Sequence, residues 1–181
     1  VVSDQTAVCS YLPEQTARMP LAIPVSGLCA EQFDQLLEAG YRRSGWYFYR
    51  TRCPSCRACE PLRLEVEHFC PSRSQRRAES KGAQYLRTEL AAPTIDSNRL
   101  ELFNQHRIER SLSHGDDVVD EQDYRSFLVN SHTAVVELSL WHDQRLVAVS
   151  ITDVGCQSLS AVYCYFDPQY AWLNPGTYAI L

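Results

Sequence analysis

Three cysteines at a strict three-residue spacing, Cys53, Cys56 and Cys59, sit among Arg50, Arg52, Arg57 and Arg63 in the stretch YRTRCPSCRACEPLR. Thiolates at C-x2-C-x2-C spacing can converge on one metal because each knuckle turns the chain back on itself, and a closed tetrahedral site then needs a fourth ligand. Cys9 and Cys70 are the candidates. The spacing also resembles part of a bacterial ferredoxin run, with Cys70 far from the usual fourth position. Ordinary free thiols are the alternative, and Cys156 and Cys164 read as small buried hydrophobes in strands. A structural zinc can contribute about 10–16 kcal/mol to folding a small module, against about 2–4 kcal/mol for a disulfide. The arginines would offset the negative charge of thiolates around a metal while presenting a positive surface to phosphate.

The charge distribution sharpens that last point. The 181-residue chain has a net charge of −5, which argues against a generic nucleic-acid binder. Residues 42–87 nevertheless carry eleven Lys or Arg against four acids, and ten of the eleven are arginine. Such a split suggests that one region meets a polyanion while the rest maintains solubility, and arginine favours planar recognition of phosphate. The competing reading is a solvated cationic face. Within this region, FCPSRSQRRAESKG holds a capping box, Ser72 as N-cap with Gln75 three residues on. It places Arg73, Arg76 and Arg77 in the first turns of a helix. Cations there oppose the helix dipole, and an arriving phosphate would reverse the penalty.

The elements that must position these residues follow from periodicity. EQFDQLLEAG buries Phe33, Leu36 and Leu37 at helical spacing and ends at Gly40. The run Trp46–Tyr49 and the alternation Leu62, Leu64, Val66 predict strands flanking the cysteine loop, and LRTEL predicts another. A helix from Asp96 or Ser97 should bury Leu100, Phe103 and Ile108, and one from about Asp120 should bury Tyr124, Phe127 and Leu128. HGDDVVDEQD between them reads as a solvated connection. From residue 134 the period changes to two, and AVVELSLW, RLVAVSITDV and LSAVYCYFD predict an antiparallel meander leading through NPGTYAIL to a further helix. The fold class expected is α+β, with a cysteine-bearing domain over residues 1–92 and a second domain over 93–181. His106, His114 and His132 have no ligand spacing. No secretory signal or long apolar run is present, so the expectation is a cytoplasmic protein with no membrane contact, in which eight cysteines are more often ligands or buried thiols than disulfides.

With those residues assembled, the sequence resembles the aminoacyl-tRNA protein transferases, the family of the arginyl-tRNA protein transferases and the bacterial aspartate/glutamate leucyltransferases. The resemblance runs through CSYLPEQTAR, GYRRSGWYFYRTRCPSCRAC, FCPSRSQRRA, VAVSITDV, SAVYCYFDP and PGTYAIL, and the CRAC form looks like the bacterial branch. It implies a catalytic domain of the GNAT acyltransferase type, aminoacyl-tRNA (Leu-tRNA on the bacterial branch) as donor, and acceptor proteins beginning with Asp or Glu, marked thereby for N-degron (N-end rule) degradation. Arginyl transfer to the same acceptors is the alternative on that family. The family's association with zinc or an iron–sulfur cluster falls here on Cys9, Cys53, Cys56 and Cys59. Family members usually continue beyond GTYAIL, so a C-terminal part of the catalytic domain is expected to be missing from this chain.

The implied reaction is aminolysis of an ester that is already activated, so no protein nucleophile is needed. Proximity, one group accepting a proton and one stabilising the oxyanion suffice. The strand-end candidates are Asp153, Asp167, Tyr163, Tyr165 and Tyr178. Asp153 is the choice for base or amine anchor, with Tyr163 or Tyr178 orienting the ester and Asp167 as a further substrate contact. The competing reading makes Asp153 a turn residue and the tyrosines core. Arg42 or Arg43 would recognise the acidic side chain of the acceptor or touch tRNA. Two rivals stand outside this reading: an acetyl-CoA-dependent N-acyltransferase, and a non-catalytic zinc module that binds RNA.

Overall fold

In a computed structural model that describes residues 1–110, 112 and 118–181, the chain forms a mixed α and β structure with antiparallel sheets. His114 and the rest of the HGDD stretch lie outside the described residues. The N-terminal part opens on a small hairpin, β1 (Thr6–Val8) with β2 (Thr16–Arg18). A three-stranded sheet follows in the order β3 (Leu21–Ala22), β5 (Tyr47–Tyr49), β4 (Arg42–Ser44). Helix α1 (Ala30–Glu38) covers it as the periodicity predicts: the Gln32 side chain accepts from the Cys29 N–H at 3.1 Å, and Phe33 is buried edge-on to Phe48, 6.2 Å between ring centres. Gly40 ends the helix at φ 81°, the left-handed region in which a Cβ is strained.

The strand expected over Leu62, Leu64 and Val66 does not form. These side chains are 91%, 58% and 80% exposed, and residues 50–65 hold no regular element before a single 3-10 turn at Val66–His68. Alternation alone does not make a strand; it needs a partner edge and a covered face, and this stretch has neither.

Helix α2 (Arg73–Tyr85) begins with the predicted capping box: Gln75 N–H donates to Ser72 Oγ at 3.3 Å, and Ser72 N–H donates to Gln75 Oε1 at 2.7 Å. It leads into β6 (Arg87–Ala91), which hydrogen-bonds to β7 (Ala134–His142), and the predicted meander follows through β8 (Arg145–Val154) and β9 (Leu159–Phe166) in the order β6-β7-β8-β9. β6, which ends at Ala91, thus pairs with a strand that lies after the boundary expected at residue 92. A strand that donates a ladder of hydrogen bonds belongs to the body it completes, and β6 completes this sheet.

Central strand β8 is buried from Leu146 to Ile151, so both faces of the sheet must be covered. On one face lie α3 (Ser97–Glu109) and α4 (Glu121–Tyr124), the latter running on into one wide turn at Arg125–Val129. They enclose Leu102, Phe103, Tyr124, Leu128, Val149, Ile151 and Tyr165. On the other face Leu86, Leu140, Val147, Ala148 and Leu173 pack with Tyr178, beneath the 3-10 segment Pro168–Leu173 and the short helix α5 (Pro175–Tyr178). Each fully buried aliphatic or aromatic side chain here contributes about 1.5–3 kcal/mol by leaving water. Within α3 the buried set is Arg99, Leu102, Phe103 and His106, a face at i, i+3, i+4 and i+7; Ile108, expected inside, is 57% exposed.

Two side-chain carboxylates, those of Asp34 and Asp153, help fasten the N-terminal part to this sheet. Asp34 on α1 accepts hydrogen bonds from the N–H groups of Cys156 (3.0 Å) and Gln157 (2.9 Å) and from the Ser158 hydroxyl, capturing the β8–β9 turn. Gly155 is required there, because a Cβ would fall 1.9 Å from Asp34 Oδ1. Cys156 is exposed in this turn rather than buried in a strand, while Cys164 lies on β9, where burial pushes its thiol up to about 11. The second contact is the ion pair described next.

Candidate functional site

Strand alternation sends Arg42 and Arg43 to opposite faces of β4, and it is Arg43 that enters the interior. Its Nε donates to both carboxylate oxygens of Asp153 at 2.8 Å, with the two side chains 1% and 0% exposed. Nη1 reaches the carbonyls of Gly45 (3.2 Å) and Asn130 (3.3 Å), and Nη2 is buried without a hydrogen-bond partner among the described residues. Gly45 makes the approach possible: at φ 58°, a Cβ would meet the Ser126 carbonyl oxygen at 2.4 Å. Burial pushes the Asp153 carboxyl above its usual range, with Arg43 pulling it back. The residues expected to act separately on substrate, Asp153 as base and Arg43 as carboxylate fork, are thus each other's partners, sealed from solvent.

The tyrosines separate in the same way. Tyr163 packs between Phe103 (5.6 Å) and Phe127 (5.5 Å), and burial raises its hydroxyl's pKa. Tyr165 is fully buried, its hydroxyl 2.5 Å from that of Tyr124, whose pKa burial pushes up to about 12. Tyr178 lays its ring on Gly82 of α2, where a Cβ would come within 2.3 Å of ring carbon Cδ2.

Asp167 is also fully buried, but at the wall of a cleft of about 550 Å3 between α3, the β7–β8 turn and the 3-10 segment. Its Oδ2 accepts from Arg145 at 2.6 Å and its Oδ1 from Gln169 N–H at 2.9 Å, so it fixes Arg145 at the cleft rim while capping Pro168–Leu173. Glu101, Gln105, His142 and Tyr170 line the same space. None of these was singled out from sequence, since the cleft joins residues more than forty positions apart.

A buried polar cluster also went unread. Glu137 Oε1 accepts from Arg99 Nε (2.9 Å) and Nη2 (2.6 Å), Asp96 pairs with the same guanidinium, and Glu137 Oε2 is buried with no partner among the described residues. Burial works against the Arg99 charge, but the hydrogen bond and charge of Glu137 more than offset it and raise its pKa. The available signal was a lone carboxylate at an inward position of AVVELSLW. His106 is likewise interior, its Nδ1 facing the Phe166 carbonyl at 2.9 Å and the Phe166 N–H at 3.2 Å, and burial lowers its pKa.

The cysteines do not assemble as the spacing suggested. The loop carrying Cys53 and Cys56 reaches the Cys9 turn, where Ser55 Oγ donates to Gln15 Oε1 at 3.2 Å and Cys9 N–H donates to the Gln15 carbonyl at 2.9 Å. Yet among the described residues no three His, Cys, Asp or Glu side chains are grouped so as to hold a metal ion, and Cys59 points into solvent. The residues present do not fit a closed zinc or iron–sulfur site in this arrangement. Arg73, Arg76 and Arg77, by contrast, stand exposed on the first turns of α2 as expected, with Arg76 Nη1 donating to the Pro71 carbonyl. Among the described residues no helix is long and apolar enough to cross a membrane.

Comparison with known proteins bears on all of these residues. The family model for the N terminus of arginine-tRNA-protein transferase matches residues 7–77, and that for its C terminus matches residues 98–181. An aspartate/glutamate leucyltransferase of Nitrosococcus oceani is 37% identical over 179 residues, covering 96% of this chain and 73% of that protein. Proteins of the same name from Chromobacterium violaceum and Polynucleobacter asymbioticus are each 36% identical, covering 96% of this chain and 71% and 72% of their own lengths. Both halves match, in order and over nearly every residue: the chain belongs to the arginine-tRNA-protein transferase family, together with these aspartate/glutamate leucyltransferases.

Proposed function

We propose that the chain transfers leucine from leucyl-tRNA to the α-amine of proteins beginning with Asp or Glu. The observation that carries this is the match to leucyltransferases across 96% of the chain. The exposed arginines of α2 support it, because a capped helix start bearing cations suits the phosphates of a large polyanion better than acetyl-CoA. The sheet order β6-β7-β8-β9, with two helices between β6 and β7 and a helix after β9, follows the order of GNAT acyltransferases, and we assign that domain to residues from α2 onward. Residues before α2 form the second unit. A reaction that consumes charged tRNA fits a cytoplasmic protein.

In this reading the acceptor amine attacks the ester carbonyl, an amide bond forms, the bond to the ribose oxygen breaks, and the amine proton leaves on that oxygen. An α-amine with pKa of about 7.7–8.0 is partly neutral at pH 7, so positioning supplies much of the rate. Arg43 and Asp153 act as a positioning pair that locks β4 against β8. Asp167 holds Arg145 at the cleft, where the guanidinium is available to a carboxylate. The test incubates the protein with leucyl- and arginyl-tRNA and peptides starting with Asp, Glu or Lys. Leucine should appear on the Asp and Glu peptides alone; consumption of neither tRNA overturns the proposal.

A further inference from the structure

Four residues of α2 stand at successive i, i+4 positions: Arg73, Arg77, Lys81 and Tyr85. Such a row drifts slowly around a helix, about 40° per step at 3.6 residues per turn. Here the drift carries it from the solvent face, where Arg73 and Arg77 are exposed, toward the 3-10 segment packed beside α2. Lys81 donates from Nζ to the Trp172 carbonyl at 2.9 Å and lies 4.8 Å from the centre of the Trp172 ring. Tyr85 meets the same indole at 5.5 Å with the planes inclined by 68°. Both rings remain open to water, Tyr85 at 42% and Trp172 at 47%. His142, 6.5 Å from the indole, continues the surface into the cleft above. Glu79 sits on the opposite flank of the helix from Lys81 and Tyr85, so the row itself carries no acid.

A row of cations that ends on two half-open aromatic rings has the chemistry of a single-strand nucleic-acid track. Cations follow phosphates, and each ring offers a face on which a base stacks. We propose that the Tyr85–Trp172 pair seats the unpaired 3′-terminal bases of the aminoacyl-tRNA, with Arg73, Arg77 and Lys81 guiding the preceding phosphates. The proposal rests on the tRNA-dependent reading above and assigns a subsite within it. Charge complementarity selects the occupant: a leucyl ester attached at the strand's end is then delivered toward the neighbouring cleft.

The test measures binding of leucyl-tRNA, of the same tRNA shortened by its unpaired 3′ nucleotides, and of a blunt RNA duplex, to wild type, Trp172→Ala, Trp172→Phe, Tyr85→Ala and Arg73→Ala/Arg77→Ala. Loss of one base–aromatic stack should weaken intact tRNA by roughly 5- to 100-fold in Trp172→Ala and Tyr85→Ala. Trp172→Phe should recover most of the affinity. The shortened tRNA and the duplex should bind these variants as they bind wild type. The double arginine variant should instead weaken all three RNAs and reduce the salt slope by up to about two ions. Equal losses for intact and shortened tRNA would overturn the seat, as would full affinity in Tyr85→Ala, a substitution at the exposed end of a helix that leaves the fold intact. Failure of wild type to bind or consume leucyl-tRNA would instead refute the underlying function, so the two failures are distinguishable.

Discussion

Replacing Asp153 with Asn separates the two roles open to this residue. Asp153→Asn keeps the volume and removes the charge, leaving the Arg43 guanidinium with neutral carbonyls at 3.2 and 3.3 Å, an Nη2 that already lacks a partner, and 1% exposure. Stranding one member of a buried pair costs about 3–5 kcal/mol. With a urea dependence of about 2 kcal/mol per molar for a chain of this size, the unfolding midpoint should fall by about 1.5–2.5 M. Arg43→Met should do the same from the other side. The Asp153 carboxyl stands above its usual range because burial outweighs the guanidinium's pull. The pair therefore fixes geometry more than it adds net stability, and Arg43→Met/Asp153→Leu should be close to wild type in stability, a coupling of several kcal/mol. Urea titrations of the four proteins, with leucyl transfer measured alongside, decide the matter. An Asp153→Asn protein with an unchanged midpoint and abolished transfer would refute this reasoning and make Asp153 the base.

Two further substitutions test how the sheet is dressed. Gly82→Ala drives a Cβ to within 2.3–2.6 Å of the Tyr178 ring, so it should destabilise by about 1–3 kcal/mol, and combined with Tyr178→Ala it should cost less than the sum of the two in urea unfolding. His106 has a folded pKa below its ordinary 6.5, so the unfolded chain binds the proton first; its stabilisation is present above pH 6.5 and is lost as pH falls through the depressed folded value. Midpoints measured between pH 7.5 and 5 should therefore decline more steeply in wild type than in His106→Gln.

What the sequence disclosed was local. The capping box at Ser72, the terminator at Gly40 and the period-two strands from residue 134 depend on neighbours a few positions away, and all are present as read. What it concealed depends on distant partners. Nothing local distinguishes Arg43, buried against a residue 110 positions on, from Arg42 on the opposite face of the same strand. Leu62, Leu64 and Val66 satisfy the pattern of a strand but find no edge to join, and Ile108 keeps helical spacing with a face that His106 and Leu102 occupy instead. The cysteine spacing is a local signal as well, yet three ligands on one loop make a metal site only if the loop folds them inward. The cleft was out of reach for the same reason: its walls come from α3, a hairpin turn and the segment after β9.

The placement of buried charge follows a logic suited to the chemistry. An aminoacyl ester is reactive enough that the protein's main task is to bring two large partners into register, and misplacement by about 1 Å can cost a hundredfold in rate. Tolerance of that kind demands that the arginine-rich N-terminal half be fixed against the sheet, not tethered to it. Apolar packing alone fixes position only loosely, because surfaces of similar shape slide. Directional bonds do not: Asp34 accepts three hydrogen bonds from one turn, and Arg43 engages both oxygens of Asp153. Both clamps hold the end of β8 and the turn that follows it, the end of the strand away from the cleft at Arg145, so that end of the sheet is the part to which the N-terminal half is keyed. Loosening either clamp should therefore disturb transfer even where tRNA affinity, which we propose resides on the exposed face of α2, is unchanged.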